Sequence, residues 1–116
     1  MIDREKAKSI GMSDEDANVI ICWNNEATQA FVDADDFKKM AERCSRYSSI
    51  EGADKDTAKQ AQSSLFEMSR LAMDRYSEIS DRIQAFEPFR EYCRKFGKVE
   101  MIDGEEVFHP SKGVFD

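Results

Sequence analysis

"DTAKQAQSSLFEMSRLAMDRYSEISDRIQAFE", residues 56–87, decides how the rest of this chain is read. Ala58, Ala61, Leu65, Met68, Ala72, Tyr76, Ile79, Ile83 and Phe86 follow one another at intervals of three or four residues, with Ser, Asp, Glu and Arg between them. An α-helix turns once every 3.6 residues, so this spacing gathers the apolar side chains on one face and predicts a long amphipathic helix. Asp56 stands where a side chain would accept the first free amide hydrogens. At a rise of 1.5 Å per residue the helix is roughly 48 Å long. A compact chain of this size is only about 35 Å across. The apolar ridge is therefore expected to need a second copy to cover it, with Leu65, Met68, Ala72, Tyr76, Ile79, Ile83 and Phe86 at a dimer interface.

Working upstream, residues 34–49 predict a shorter helix with Phe37, Met40, Ala41, Cys44 and Tyr47 on one face and Asp33 as its cap. "SSIEGADKD" then breaks the chain, and two helices joined by a short loop pack antiparallel. The preceding stretch, "ANVIICWNNEATQAFV" at 17–32, admits two readings. The β-branched "VII", the apolar "AFV" and Asn24-Asn25 between them suit a β-hairpin. Ser13 and Asp16 as a weak capping box, with Ala17, Ile20, Ile21 and Phe31 on one face, suit a helix. The hairpin is the preferred reading.

Downstream, Pro88 cannot supply an amide hydrogen inside a helix, so it either kinks the long helix or opens a new one that Gly97 stops. Asp103-Gly104 between short apolar and polar runs is a two-residue hairpin signal. The tail "SKGVFD" is expected to fray. The predicted fold is thus α+β and predominantly helical, a single domain over residues 1–116. It comprises a helical hairpin with one long amphipathic helix plus one or two small β-hairpins.

Composition narrows the function classes. The chain has 116 residues, 41% hydrophobic and 35% charged, with a net charge of -7. This balance suits a globular protein and argues against direct nucleic-acid binding, which calls for a basic face. The longest apolar run, "VIICW", falls far short of the roughly 20 residues that cross a bilayer. "MIDREKAKSI" lacks the apolar core of a signal peptide, so a cytoplasmic location away from membranes is expected. Cys22, Cys44 and Cys93 are widely spaced and His109 is the sole histidine, which predicts neither a disulfide framework nor a metal site. No phosphate-binding or calcium-binding loop motif occurs, and no nucleophile has a histidine base in a recognisable motif. Neither catalysis nor a cofactor is expected.

Two surfaces remain as candidates. "SDED" at 13–16 and "DADD" at 33–36 supply Asp14, Glu15, Asp16, Asp33, Asp35 and Asp36, which the preferred hairpin would bring to one end as a negative patch. Such a patch would steer a basic protein partner. Against it stands "FREYCRKFGK" at 89–98, with four basic residues and one acidic. On a helix its aromatic residues face the core, and Arg90, Arg94 and Lys98, with Tyr92 and His109, would hold a small anion such as a nucleotide. The cations would otherwise offset the helix dipole and pair with acidic neighbours.

The charge balance favours the first surface. The chain is expected to be an acidic protein-interaction module, an inhibitor that occludes a basic nucleic-acid-handling surface, of the kind phages and mobile elements encode. The alternatives are a dimeric sequestering protein for an anionic ligand and a helical assembly or scaffold protein.

Overall fold

The computed structural model describes residues 2–50, 52 and 54–111. Four helices and one hairpin follow in order: α1 (Arg4–Ser9), α2 (Asp14–Ser48), α3 (Lys55–Ala85), α4 (Glu87–Phe96), β1 (Lys98–Ile102) and β2 (Glu105–His109). The protein is predominantly helical α+β, with a helical hairpin and one two-stranded antiparallel sheet. Residues 112–116, most of the tail expected to fray, lie outside the described residues. No helix among the described residues is long and apolar enough to cross a membrane.

The chain divides into two compact units, Met1–Glu26 with Ile79–Asp116, and Ala27–Glu78. In the first, the terminal unit, the core is built from large side chains. Ile20 of α2, Ile79 and Ile83 of α3, Phe89, Tyr92 and Cys93 of α4 and Phe108 of β2 are all buried, together with Ala7 and Ala17. Fully burying one such large apolar side chain is worth about 1.5–3 kcal/mol.

Polar contacts fix the entry and exit of each element here. The Asp3 carboxylate accepts from the amides of Glu5 and Lys6 and so caps α1. The Asp3 amide in turn donates to the Tyr92 hydroxyl at 2.9 Å. Gly11, at φ 84°, closes α1: its amide donates to the Lys8 carbonyl and that of Met12 to Ala7, a Schellman stop that requires the left-handed backbone. Ser13 then accepts from the Asp16 amide and starts α2.

At the other end of the unit, Phe86 adopts an extended backbone and Pro88 sits in the first turn of α4. In an unbroken helix residue 88 would donate its amide hydrogen to the Gln84 carbonyl, and proline has none to give. That carbonyl instead accepts from Arg90 Nε at 2.6 Å. The Gln84 side chain grips β2 at two points, donating to the Phe108 carbonyl and accepting from the Phe108 amide, both at 2.8 Å. Gly97 ends α4, and a Cβ there would lie 1.8 Å from the His109 carbonyl oxygen, so only glycine lets the hairpin close onto the helix. The turn itself uses Asp103 and Gly104, at φ 52° and 81°, the pattern of a type I′ turn.

The central unit, Ala27–Glu78, is a pair of antiparallel helical segments. Ser69 Oγ of α3 donates to the Ala34 carbonyl of α2, and the rings of Phe31 and Tyr76 lie 5.5 Å apart. Among the described residues, every buried hydrophobic side chain of this unit is an alanine: Ala27, Ala30, Ala34, Ala41 and Ala58. Small side chains at intervals of three, four and seven residues let two helices pack closely, but each covers little apolar area.

Three local expectations are corrected. Residues 17–32 are helical throughout, and no hairpin turns at Asn24-Asn25. The Ser13 cap and the repeat of Ala17, Ile20, Ala27, Ala30 and Ala34 along one buried face outweigh the modest strand preference of Val19, Ile20 and Ile21. The shorter helix does not begin at Ala34: it is the second half of α2, and Asp33 lies inside it, accepting from the Gln29 side chain rather than capping. α3 is capped by Asp54, whose carboxylate accepts from the Thr57 amide and hydroxyl, and Asp56 lies within the first turn.

Candidate functional site

The basic and aromatic residues of α4 do gather, yet Arg90, Arg94 and Lys98 are already engaged, while His109 Nε2 is buried without a hydrogen-bond partner among the described residues. The guanidinium groups of Arg90 and Arg94 lie 5.0 and 5.3 Å from the Phe108 ring centroid, a favourable cation-π distance. Arg90 serves the Gln84 carbonyl. Arg94 pairs with Glu87 at 2.8 Å, and this pairing raises its pKa above the ordinary arginine value. Lys98 pairs with Glu100 at 2.6 Å, which holds the Glu100 carboxyl below its usual range. His109, the partner of Lys98 in the strand register, places Nε2 3.5 Å from the other Glu100 oxygen. Tyr92 is buried, with its hydroxyl accepting from Asp3. At Arg90, Arg94 and Lys98 a small anion would have to displace existing bonds. Their chemistry is that of a brace joining α4, the end of α3 and β2.

Burial pushes the Cys93 thiol up to about 12, so it stays protonated near neutrality and makes a poor nucleophile. Among the described residues no group of three or more His, Cys, Asp or Glu side chains is placed to hold a metal ion.

Placement of the acidic residues follows from the continuity of α2. Asp14, Glu15 and Asp16 occupy its first turn in the terminal unit, where the helix dipole favours anions. Asp33, Asp35 and Asp36 lie in the central unit, in the middle of the same helix. No reversal of the chain brings the two clusters together, which removes the route by which one negative patch was expected. Asp35 already pairs with Lys39 at 2.8 Å.

The ridge on α3 is also divided. Ile79 and Ile83 are 3% and 4% exposed, and Phe86 packs edge-on against Trp23 at 5.3 Å with Arg82 over the Trp23 ring. This end of the expected dimer interface is covered by its own chain. Leu65, Ala72 and Tyr76 are half-buried against α2, whereas Met68 is exposed.

Exposed apolar side chains lie on the two sides of the alanine seam, and Val99, Met101 and Ile102 of β1 are exposed as well. Phe31 and Phe37 are six residues apart, hence about 120° apart around the helix, and flank the seam from opposite sides. One groove, of about 300 Å³, is lined by Ala30, Asp33 and Phe37 of α2 and by Met68, Leu71, Ala72 and Arg75 of α3. The other, of about 260 Å³, is lined by Phe31, Ala34, Asp35 and Lys38 with Ser69 and Met73. Phe31 and Leu71 are 52% and 54% exposed, and Met40, Phe66, Met68 and Met73 are exposed as well. Periodicity alone places Phe37 and Met40 on the apolar face of their helix and Met68 on the expected dimer face. The alanines at 27, 30, 34 and 41 are the signal of a closer seam, which leaves Met40 and Met68 exposed and Phe37 half-buried.

In comparison with known proteins, no family model, no curated protein and no solved structure matches the chain.

Proposed function

We propose that this protein is a non-catalytic interaction module that presents the Phe31 side of its central helical pair to a partner protein with a basic surface. The observation that supports it is the inversion of ordinary burial in this unit. Alanines fill the seam, while Phe31, Phe66 and Met73 stand exposed beside it. Large aromatic and Met side chains on a surface are the residues that dominate protein interfaces. Asp35 lines the same groove and Asp36 follows it on an exposed stretch of α2, within a chain of net charge -7. An apolar patch lined by both Asp35 and Lys38, on a chain of net negative charge, suits a basic surface that otherwise takes nucleic acid, and covering that surface is how such a module inhibits.

The non-catalytic part rests on the state of the reactive groups: the Cys93 thiol is buried and protonated, and His109 faces Glu100 on the hairpin. The anion-binding alternative has no free cation among Arg90, Arg94 and Lys98 to recommend it.

The test is photo-crosslinking with a benzophenone amino acid at position 66 in the full chain, in extract of the source cells, followed by mass identification. The reading requires a crosslinked protein with a basic surface, competed by heparin and by added salt, and lost in Phe31→Arg. Crosslinking that ignores heparin and Phe31→Arg alike would reject it.

A further inference from the structure

We propose that the other side of the central unit, the groove between Phe37 and Leu71, is a self-association face that a second copy of this chain covers, with the two-fold axis running along the helices. This goes beyond the partner surface proposed above and uses the opposite side of the seam.

The first ground is layer chemistry. Two helices packed through alanines form one layer, and a layer whose large apolar side chains point away from its own seam needs a second layer to bury them. Phe37 and Met40 on α2, and Met68 and Leu71 on α3, are each three residues apart and so lie almost one turn above each other on the same side. Docked face to face, two such pairs make a four-helix bundle.

The second ground is charge, and it selects both the face and the axis. Asp33 on α2 and Arg75 on α3 line the same groove. They make no ion pair with each other, and Arg75 has no ion-pair partner among the described residues. A two-fold axis parallel to the helices lays α2 of one copy over α3 of the other at the same height. Each Asp33 then meets the second copy's Arg75, and two reciprocal pairs form from one self-complementary surface. An axis across the helices instead lays α2 over α2 and separates these charges. The Phe31 groove has no equivalent: its charges, Asp35 and Lys38, both belong to α2, and α3 contributes only Ser69 and Met73.

The third ground is area. The 22 residues of α2 in this unit, Ala27–Ser48, extend about 33 Å, and two packed helices are about 20 Å wide, so the face covers roughly 700 Å². A standard stable interface buries about 800 Å² per partner.

Sedimentation equilibrium of the full chain at 1–100 μM tests the proposal. The wild type is expected at twice the mass of one chain. Asp33→Arg and Arg75→Asp singly should each weaken dimerisation at least tenfold, the double exchange Asp33→Arg with Arg75→Asp should restore it, and Leu71→Glu should abolish it. Helical circular dichroism establishes that each variant is folded. Phe31→Arg should leave the dimer intact, and Leu71→Glu should still crosslink the partner through position 66, so the two proposals fail separately. A wild type monomeric at 100 μM, or a dimer that survives Leu71→Glu, or singles that the double exchange does not rescue, would each overturn it.

Discussion

The terminal unit and the central unit are built from the same two long helices and solve burial in opposite ways. Where α2 and α3 meet α4 and the β-hairpin, Ile20, Ile79, Ile83, Phe89 and Phe108 go inside and charged groups ring them. Where α2 and α3 meet only each other, alanines go inside and Phe31, Met40, Phe66, Met68, Leu71 and Met73 stay outside. The difference follows from the number of layers. A third and fourth element make a cavity that only large side chains fill, whereas two helices alone have one line of contact and gain most by narrowing it.

Changes that exchange the two solutions should have graded effects. The largest is Phe108→Ala. It removes a fully buried ring, the platform under Arg90 and Arg94 and the β2 anchor, and is expected to cost about 3–5 kcal/mol in urea unfolding. A loss below about 1 kcal/mol would show that this core does not carry the fold.

Next is Ala34→Leu, which forces a large side chain into the seam where Ser69 Oγ reaches the Ala34 carbonyl. It should cost about 1–3 kcal/mol. Leu71→Ala, on the exposed side, should stay within about 0.5 kcal/mol of the parent when both are unfolded at concentrations low enough to keep the chain monomeric. Equal effects at positions 34 and 71 would erase the contrast between seam and flank.

The last effect appears only at alkaline pH. Cys93 has its folded pKa raised by burial from 9.0 to about 12. Between those values the unfolded chain has released the proton and the folded chain holds it. The thiol's contribution is thus complete below about pH 9 and is lost as pH rises through the window up to about 12. At pH 10 the loss is about 1 kcal/mol. Cys93→Ala should flatten this alkaline fall in melting temperature relative to wild type, and a parallel fall in both proteins would mean that the thiol is not buried as described.

Parts of this architecture were legible from residue types alone. The 3.5-residue spacing of the α3 stripe, Pro88 followed by Gly97, and Asp103-Gly104 each report a local preference that the structure keeps, because each is set by backbone geometry within a few residues. The N-terminal half of α2 was misread for a reason that is not local. "VII" and Asn24-Asn25 suit a strand and a turn, and what overrides them is tertiary burial of Ile20, Ala27 and Ala30, which no window of sequence contains. The same holds for the candidate surfaces. The basic island of α4 was correctly placed with its aromatics toward the core, but the use of Arg90 to satisfy Gln84 depends on the break that Pro88 causes two residues earlier.

By itself, the sequence determined the helical period, the stops and the single tight turn, since these follow from side-chain spacing and from what proline and glycine permit in the backbone. Only the tertiary structure decided which apolar residues are core and which are surface. Helix periodicity groups Met40 and Ala41 alike, and it takes a second helix, packed close enough for alanine, to leave Met40 exposed and bury Ala41.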